Sequence, residues 1–169
     1  MEKLRTGAVY GTPSLKDETD PLWKEAAEIE IDRYQTAWQG ATGTGRVLWD
    51  EDNLYVRVEV TDSSIDTSSD TPWEQDSVEV FLKASSDDSS AYAEEDGHYR
   101  VNAEGQVTFG DMTDQTELES YAVENDSGYT ILISVPWQAV EPDINQVIGF
   151  DLQIDDAASG SRESICGLE

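Results

Sequence analysis

The stretch "LYVRVEV", Leu54–Val60, decides the fold class. Leu54, Val56, Val58 and Val60 fall on one side of an extended chain, and Tyr55, Arg57 and Glu59 on the other. Alternation with period two is the signature of a strand with one face against a core. The same pattern recurs outward from it. "SVEVFL" sets Val78, Val80 and Leu82 against Ser77, Glu79 and Phe81, and "YRVN" sets Tyr99 and Val101 against Arg100 and Asn102. "YTILISV" sets Tyr129, Ile131, Ile133 and Val135 against Thr130, Leu132 and Ser134. "GFDLQID" sets Phe150, Leu152 and Ile154 against Asp151, Gln153 and Asp155.

Turn signals separate these runs. "WDEDNLY" and "ENDSGYT" read as hairpin connections with Asn53 and Gly128 available for left-handed backbone, and Glu104-Gly105 marks another turn. Asp20-Pro21-Leu22-Trp23 reads as an N-cap followed by Pro at the first helical position, opening one or two turns through Ala27. "VPWQAVEP" is a candidate for another single turn, and Ser85–Gly97 is a polar loop. Many short antiparallel strands with little helix predict an all-β, jelly-roll-like sandwich forming one domain over residues 1–169.

Thirty-seven acidic residues against ten basic ones give a net charge of −27. Such a surface repels phosphate backbones and anionic headgroups, which argues against nucleic-acid and membrane partners. No apolar run is long enough to span a bilayer. The opening "MEKLRTGAVYG" holds no apolar core of a signal peptide. One cysteine, Cys166, makes no internal disulfide, and one histidine, His98, without a Cys/His cluster argues against zinc. Most of the acids read as a solvated surface. Asp62, at the end of the Leu54 strand, Asp76 and Asp155 (with Asp156 beside it) are candidate oxygen ligands for calcium.

The alternation also assembles a candidate binding face. Glu79, Arg100, Asn102 and Gln153 all lie opposite the core-facing residues of their strands, and Trp73 stands just ahead of "SVEVFL". An aromatic ring covers the C–H face of a sugar, and planar carboxylate, amide and guanidinium groups match vicinal hydroxyls. A buried polar group left without its partner costs about 1–3 kcal/mol, so such a face selects for hydroxyl pattern. Other readings of the same residues stay open. Trp73 fits equally as a core plug, and Glu79 with Arg100 as a cross-strand ion pair on a solvated face. A glycoside hydrolase needs two carboxylates about 5–10 Å apart, and Glu74, Asp76 and Glu79 supply acids in one segment; Asp76 and Glu79, three apart, point to opposite faces of a strand. A haem-binding sandwich of an electron-transfer protein would draw axial ligands from His98 and Met112.

The motifs "YGTPSLKDETDPLWKEA", "GTGRVLWDEDNLYVRVEVTD", "PWEQDSVEVF", "YRVNAEGQVTFG" and "IGFDLQIDDA" together resemble, in order from Tyr10 to Ala157, the family 9 carbohydrate-binding modules attached to secreted xylanases and related enzymes. The resemblance implies a β-sandwich, structural calcium and a non-catalytic site. That site holds small sugars and the ends of glucan and xylan chains, notably reducing ends. It further implies a covalently attached catalytic domain and an extracellular location. By this resemblance Trp73 is one of two stacking tryptophans, and Glu79, Arg100, Asn102 and Gln153 bond the sugar. The family's second tryptophan and final strand lie beyond the region matching Ser161–Glu169, and no Trp follows Trp137 here. The expectation is therefore a slot short of one wall and a sheet short of one strand, with an open edge.

Overall fold

A computed structural model describes residues 5–83, 96–111, 113, 117–138 and 141–168. Its twelve strands are β1 (Val9–Tyr10), β2 (Ile29–Ile31), β3 (Arg33–Thr36), β4 (Thr42–Trp49), β5 (Asn53–Thr61), β6 (Ser77–Lys83), β7 (Gly97–Asn102), β8 (Val107–Phe109), β9 (Glu119–Asn125), β10 (Gly128–Pro136), β11 (Gly149–Ala158) and β12 (Ser161–Gly167). They form two sheets. The first runs β1-β4-β5-β10-β9, with β2 also on β4; the second runs β3-β12-β11-β6-β7-β8. All pairings are antiparallel except β1 with β4. The all-β sandwich expected from the alternation is the fold observed.

The core lies between the sheets and uses the side chains that period two assigned to it. Leu54, Val56, Val58 and Val60 of β5 and Tyr129, Ile131, Ile133 and Val135 of β10 meet Val78, Val80, Tyr99, Val101, Leu152 and Ile154 of the second sheet. Cys166 of β12 is buried among them. Burying each large aliphatic side chain contributes about 1.5–3 kcal/mol, which holds the two sheets face to face.

The outward faces differ from the expected wet surfaces. On the first sheet, Leu48, Tyr55 and Leu132 are buried beneath Trp23, Ala26 and Leu15 of the N-terminal segment. That segment is held by a 3₁₀ turn, Pro21–Glu25, whose N-cap Asp20 accepts from the Leu22 N–H at 3.0 Å as its sequence predicts. The turn is 3₁₀ rather than α, and extended backbone at Ala26 ends it.

The hairpins show how short polar segments fix register. Asn53 has no positive φ; instead the Asp50 carboxylate accepts from the Asp52 and Asn53 N–H groups and closes the β4–β5 turn. Trp137 donates from Nε1 to the Asp50 carbonyl and braces that turn from beyond β10. Gly105, at φ 84°, supplies the left-handed position expected of the β7–β8 turn. Residues 84–95, most of the expected polar loop, lie outside the described residues, as do residues 139 and 140 of the "VPWQAVEP" candidate. The second sheet ends in β3, four residues long, and β8, three residues long; short edge strands give little template for unwanted pairing.

Candidate carbohydrate-binding face

Strand register brings the predicted site residues together. Gln153 of β11 lies opposite Glu79 of β6, Glu79 opposite Arg100 of β7, and Arg100 opposite Thr108 of β8. One row thus crosses four strands on the outer side of the second sheet. The next row holds Ile165, Asp155, Ser77 and Asn102.

Glu79 is the hub. It is 2% exposed. Its Oε1 accepts from Arg100 Nη2 at 2.7 Å and pairs with His98 Nε2 at 2.6 Å, and its Oε2 accepts from Gln153 Nε2 at 2.8 Å. Burial pushes its pKa up, but the His98 bond, the hydrogen bond with Asp155 and the Arg100 charge outweigh burial and hold the carboxyl at about 2. Asp155 moves the opposite way, to about 8, through burial and then its hydrogen bond to Glu79 and the Glu79 charge. The face therefore keeps its proton on Asp155 and its negative charge on Glu79.

Arg100 is aimed by this network. Its Nη1 donates to Thr108 Oγ1 at 3.2 Å, and its guanidinium carbon sits 5.9 Å from the centroid of the Trp73 ring, a cation–π contact. Its Nε is buried with no partner within the protein. Trp73, on a second 3₁₀ turn (Pro72–Glu74), is 50% exposed, so it lies at the surface and is not a core plug. Between that turn and the sheet lies a cleft lined by Asp70, Pro72, Gln75, Arg100, Asn102, Gln106 and Thr108.

Asn102 has a different character from the open ligand that alternation suggested. Its Oδ1 accepts from the Glu104 and Gln106 N–H groups, closing the β7–β8 turn, while its Nδ2 donates to Gln75 Oε1 at 2.9 Å and Gln106 Oε1 at 3.2 Å. It organises the cleft floor and places Gln75 and Gln106, which spacing alone did not single out. His98 was also missed as a face residue. Its signal was present, since it alternates with Arg100 and Asn102. It stacks on Phe81 at 4.3 Å between centroids, and its Nε2 is taken by Glu79. That nitrogen is therefore not open to a haem iron, and Met112 lies outside the described residues. Asp76, as its spacing implied, sits apart from Glu79: its carboxylate accepts from the Ala157 and Asp66 N–H groups.

The acidic candidates divide into two groups. Asp62, Asp76 and Asp156 place carboxylate oxygens within 4.8 Å of one another. Asp155, rather than Asp156, was the expected member; alternation along β11 turns Asp155 outward. There it accepts from Ser77 Oγ at 3.2 Å, Gln153 Nε2 at 3.1 Å and Arg162 Nη1 at 3.1 Å. In the cluster, Asp62 Oδ2 is buried without a partner, as is the hydroxyl of Tyr129 in the core. Burial and then, beyond its backbone bonds, the charges of Asp62 and Asp156 push the Asp76 carboxyl up to about 8. Three converging carboxylates with an unmatched buried oxygen fit a hard divalent cation.

Residues 16–169 match the family model described as "Carbohydrate family 9 binding domain-like". The chain is 38% identical over 159 residues to endo-1,4-beta-xylanase A of Thermoanaerobacterium saccharolyticum and to exoglucanase XynX of Acetivibrio thermocellus, covering 94% of this chain in both cases. It spans only 14% and 15% of those enzymes. Among solved structures it resembles a carbohydrate binding module family 9 protein of Caldicellulosiruptor kristjanssonii in complex with cellotriose, and the same protein with glucose. Both superpose at TM-score 0.87 with 28% identity; they cover 95% of this chain, which in turn covers 82% and 83% of those chains.

Proposed function

Because the chain belongs to the carbohydrate family 9 binding domains, we propose that its outer β6–β7–β11 face binds the terminal units of glucan and xylan chains and small sugars. Relatives at 28% identity are bound to cellotriose and glucose. The chain is a non-catalytic carbohydrate-binding module, and its relatives carry the corresponding segment within xylanases. In the parent protein it holds an attached polysaccharide-degrading domain near its substrate, outside the cell.

The observation that carries the site assignment is the half-exposed Trp73 indole lying beside a guanidinium fixed by Glu79, at the edge of a cleft lined by polar side chains. Sugar hydroxyls bond the polar groups that line that cleft while the Trp73 ring takes the C–H face of the same sugar. Glu79 stays ionised and fixes Arg100, His98 and Gln153 before ligand arrives. Little side-chain ordering is then left to oppose binding. Calorimetric titration tests this with glucose and cellotriose. Wild type binds both, and Trp73→Ala binds at least about tenfold more weakly, the loss of one stacking surface. Equal affinity in the variant overturns the site. Reducing the terminal ring to its alditol separates end recognition from general sugar binding. If cellotriose and its alditol bind alike, the reducing-end reading falls and the sugar reading stands.

Calcium belongs at Asp62, Asp76 and Asp156. A bound ion would supply positive charge where three carboxylates converge, and its site would tie the start of β6 to β11 and the end of β5. Added CaCl2 raises the melting temperature of chelator-treated protein, and Asp76→Asn removes most of that rise. No shift in wild type overturns the assignment.

A further inference from the structure

The geometry points to Trp38 as a second, outlying stacking platform for the part of an oligosaccharide that runs off the Trp73 site. This rests on the sugar-binding reading above and extends it to ligand length. Trp38 is 96% exposed, the most exposed large hydrophobic side chain among the described residues. An indole left fully in water gains nothing for folding, since its apolar area is never buried.

The loop that carries it is nonetheless braced. Tyr34 Oη donates to the Gly40 carbonyl at 2.8 Å, and the Ala41 N–H donates to Asp156 Oδ2 at 2.7 Å. Gly40, at φ 147°, lies so close to the Ser164 and Asp156 side chains that no Cβ fits there. Ala37 adopts φ 68°, a left-handed conformation unfavourable for a residue with a side chain. Strain at a tight loop that presents an exposed aromatic is a common mark of a binding position.

The loop also leaves β3 at the right end of the right sheet. Thr36 lies opposite Ile165, Ile165 opposite Asp155, Asp155 opposite Ser77, and Ser77 opposite Asn102. Trp38 follows Thr36 by two residues at the end of this row, and the Trp73 turn rests against β7, β11 and β12 at the same end. From β3 to β7, whose Arg100 lies beside the Trp73 ring, is four strand spacings, about 19 Å. That is a distance for several sugar units and not for one. Apart from Ile165 the row between is polar, its Asp155, Ser77 and Asn102 buried, and Gln35 lies across Gly167, where no side chain stands in its way. A chain whose end occupies the Trp73 site is thus offered a second apolar ring further along.

The test compares glucose with cellohexaose by calorimetry on wild type, Trp38→Ala, Trp38→Tyr and Trp73→Ala, with circular dichroism to verify folding. Wild type binds cellohexaose more tightly than glucose. Trp38→Ala binds glucose within about twofold of wild type but loses about tenfold toward cellohexaose, the scale of one aromatic stacking contact. Trp38→Tyr, which keeps a ring, restores most of that loss. Cellohexaose binding unchanged in Trp38→Ala, or no preference for cellohexaose in wild type, overturns the platform while leaving the Trp73 site intact. Failure of wild type to bind either sugar overturns both.

Discussion

At the scale of single residues, the acid at position 79 does two jobs at once. It is the charge that pairs Arg100 inside the fold, and it is the acceptor that aims Arg100, His98 and Gln153. Its carboxyl is held at about 2 against an ordinary value of 4.5. A depressed acid contributes stability that is fully present above its unfolded pKa and is lost as pH falls through its folded pKa. The contribution of Glu79 is therefore complete at neutral pH and disappears between about pH 4.5 and pH 2. Glu79→Gln removes the charge while leaving Arg100 buried, which costs about 3–5 kcal/mol. Melting temperature against pH should show a smaller decline below pH 4.5 in the variant than in wild type, and sugar titration should show binding lost. Parallel pH curves for the two proteins contradict this account of the hub.

At the scale of elements, the two sheets have separate tasks. The first is sealed on its outer side by the N-terminal segment, with Trp23 packed on Leu48, Tyr55 and Leu132; the second carries the proposed sugar face. Trp23→Ala leaves a cavity under the Pro21–Glu25 turn and should destabilise the protein by about 3–5 kcal/mol in chemical denaturation. Sugar affinity of the protein that remains folded should not change, because no residue of the face touches that cluster. A matching fall in affinity well below the melting temperature would show the sheets to be coupled. The strands and their inward faces were legible in the sequence because period two is dictated by geometry along one strand. The outer faces were less so. Tyr55 and Leu132 sit at positions that alternation leaves outward, and only a segment some thirty residues or more away in sequence buries them. Asn102 and Trp38 show the same limit: alternation placed Asn102 on the binding face, but its role as a turn closer depends on backbone N–H groups two and four residues later. Trp38, in "TAWQGATG", is indistinguishable in sequence from a core plug. The membership of the carboxylate cluster turned on which way adjacent Asp155 and Asp156 point, which the β-bulge between Asp156 and Ala157 perturbs locally.

At the scale of the whole molecule, the charge of −27 sets the conditions under which this fold is most stable. Ten cations cannot neutralise thirty-seven acids, and several of those ten are committed to local partners: Arg46 to Glu28, Arg57 to Glu59 and Arg100 to Glu79. The remaining acids repel one another, and unfolding relieves that repulsion by spreading them apart. Salt relieves it in the folded state instead. The screening length falls from about 10 Å at 0.1 M to about 3 Å at 1 M, shorter than the typical spacing between surface carboxylates. Exposed ion pairs are weakened by the same salt, but each contributes only about 0–1 kcal/mol, and they are far fewer than the unpaired acids. Repulsion wins the comparison, so NaCl should stabilise. Every kcal/mol of repulsion removed should appear as about 2–4 °C in melting temperature for a chain of this length. The measurement is thermal unfolding from 0.05 to 1 M NaCl with chelator present, so that screening is not confused with a divalent ion at Asp62, Asp76 and Asp156. A steady rise with salt supports a stability limited by self-repulsion; a flat or falling curve would mean that the local pairs outweigh the net charge.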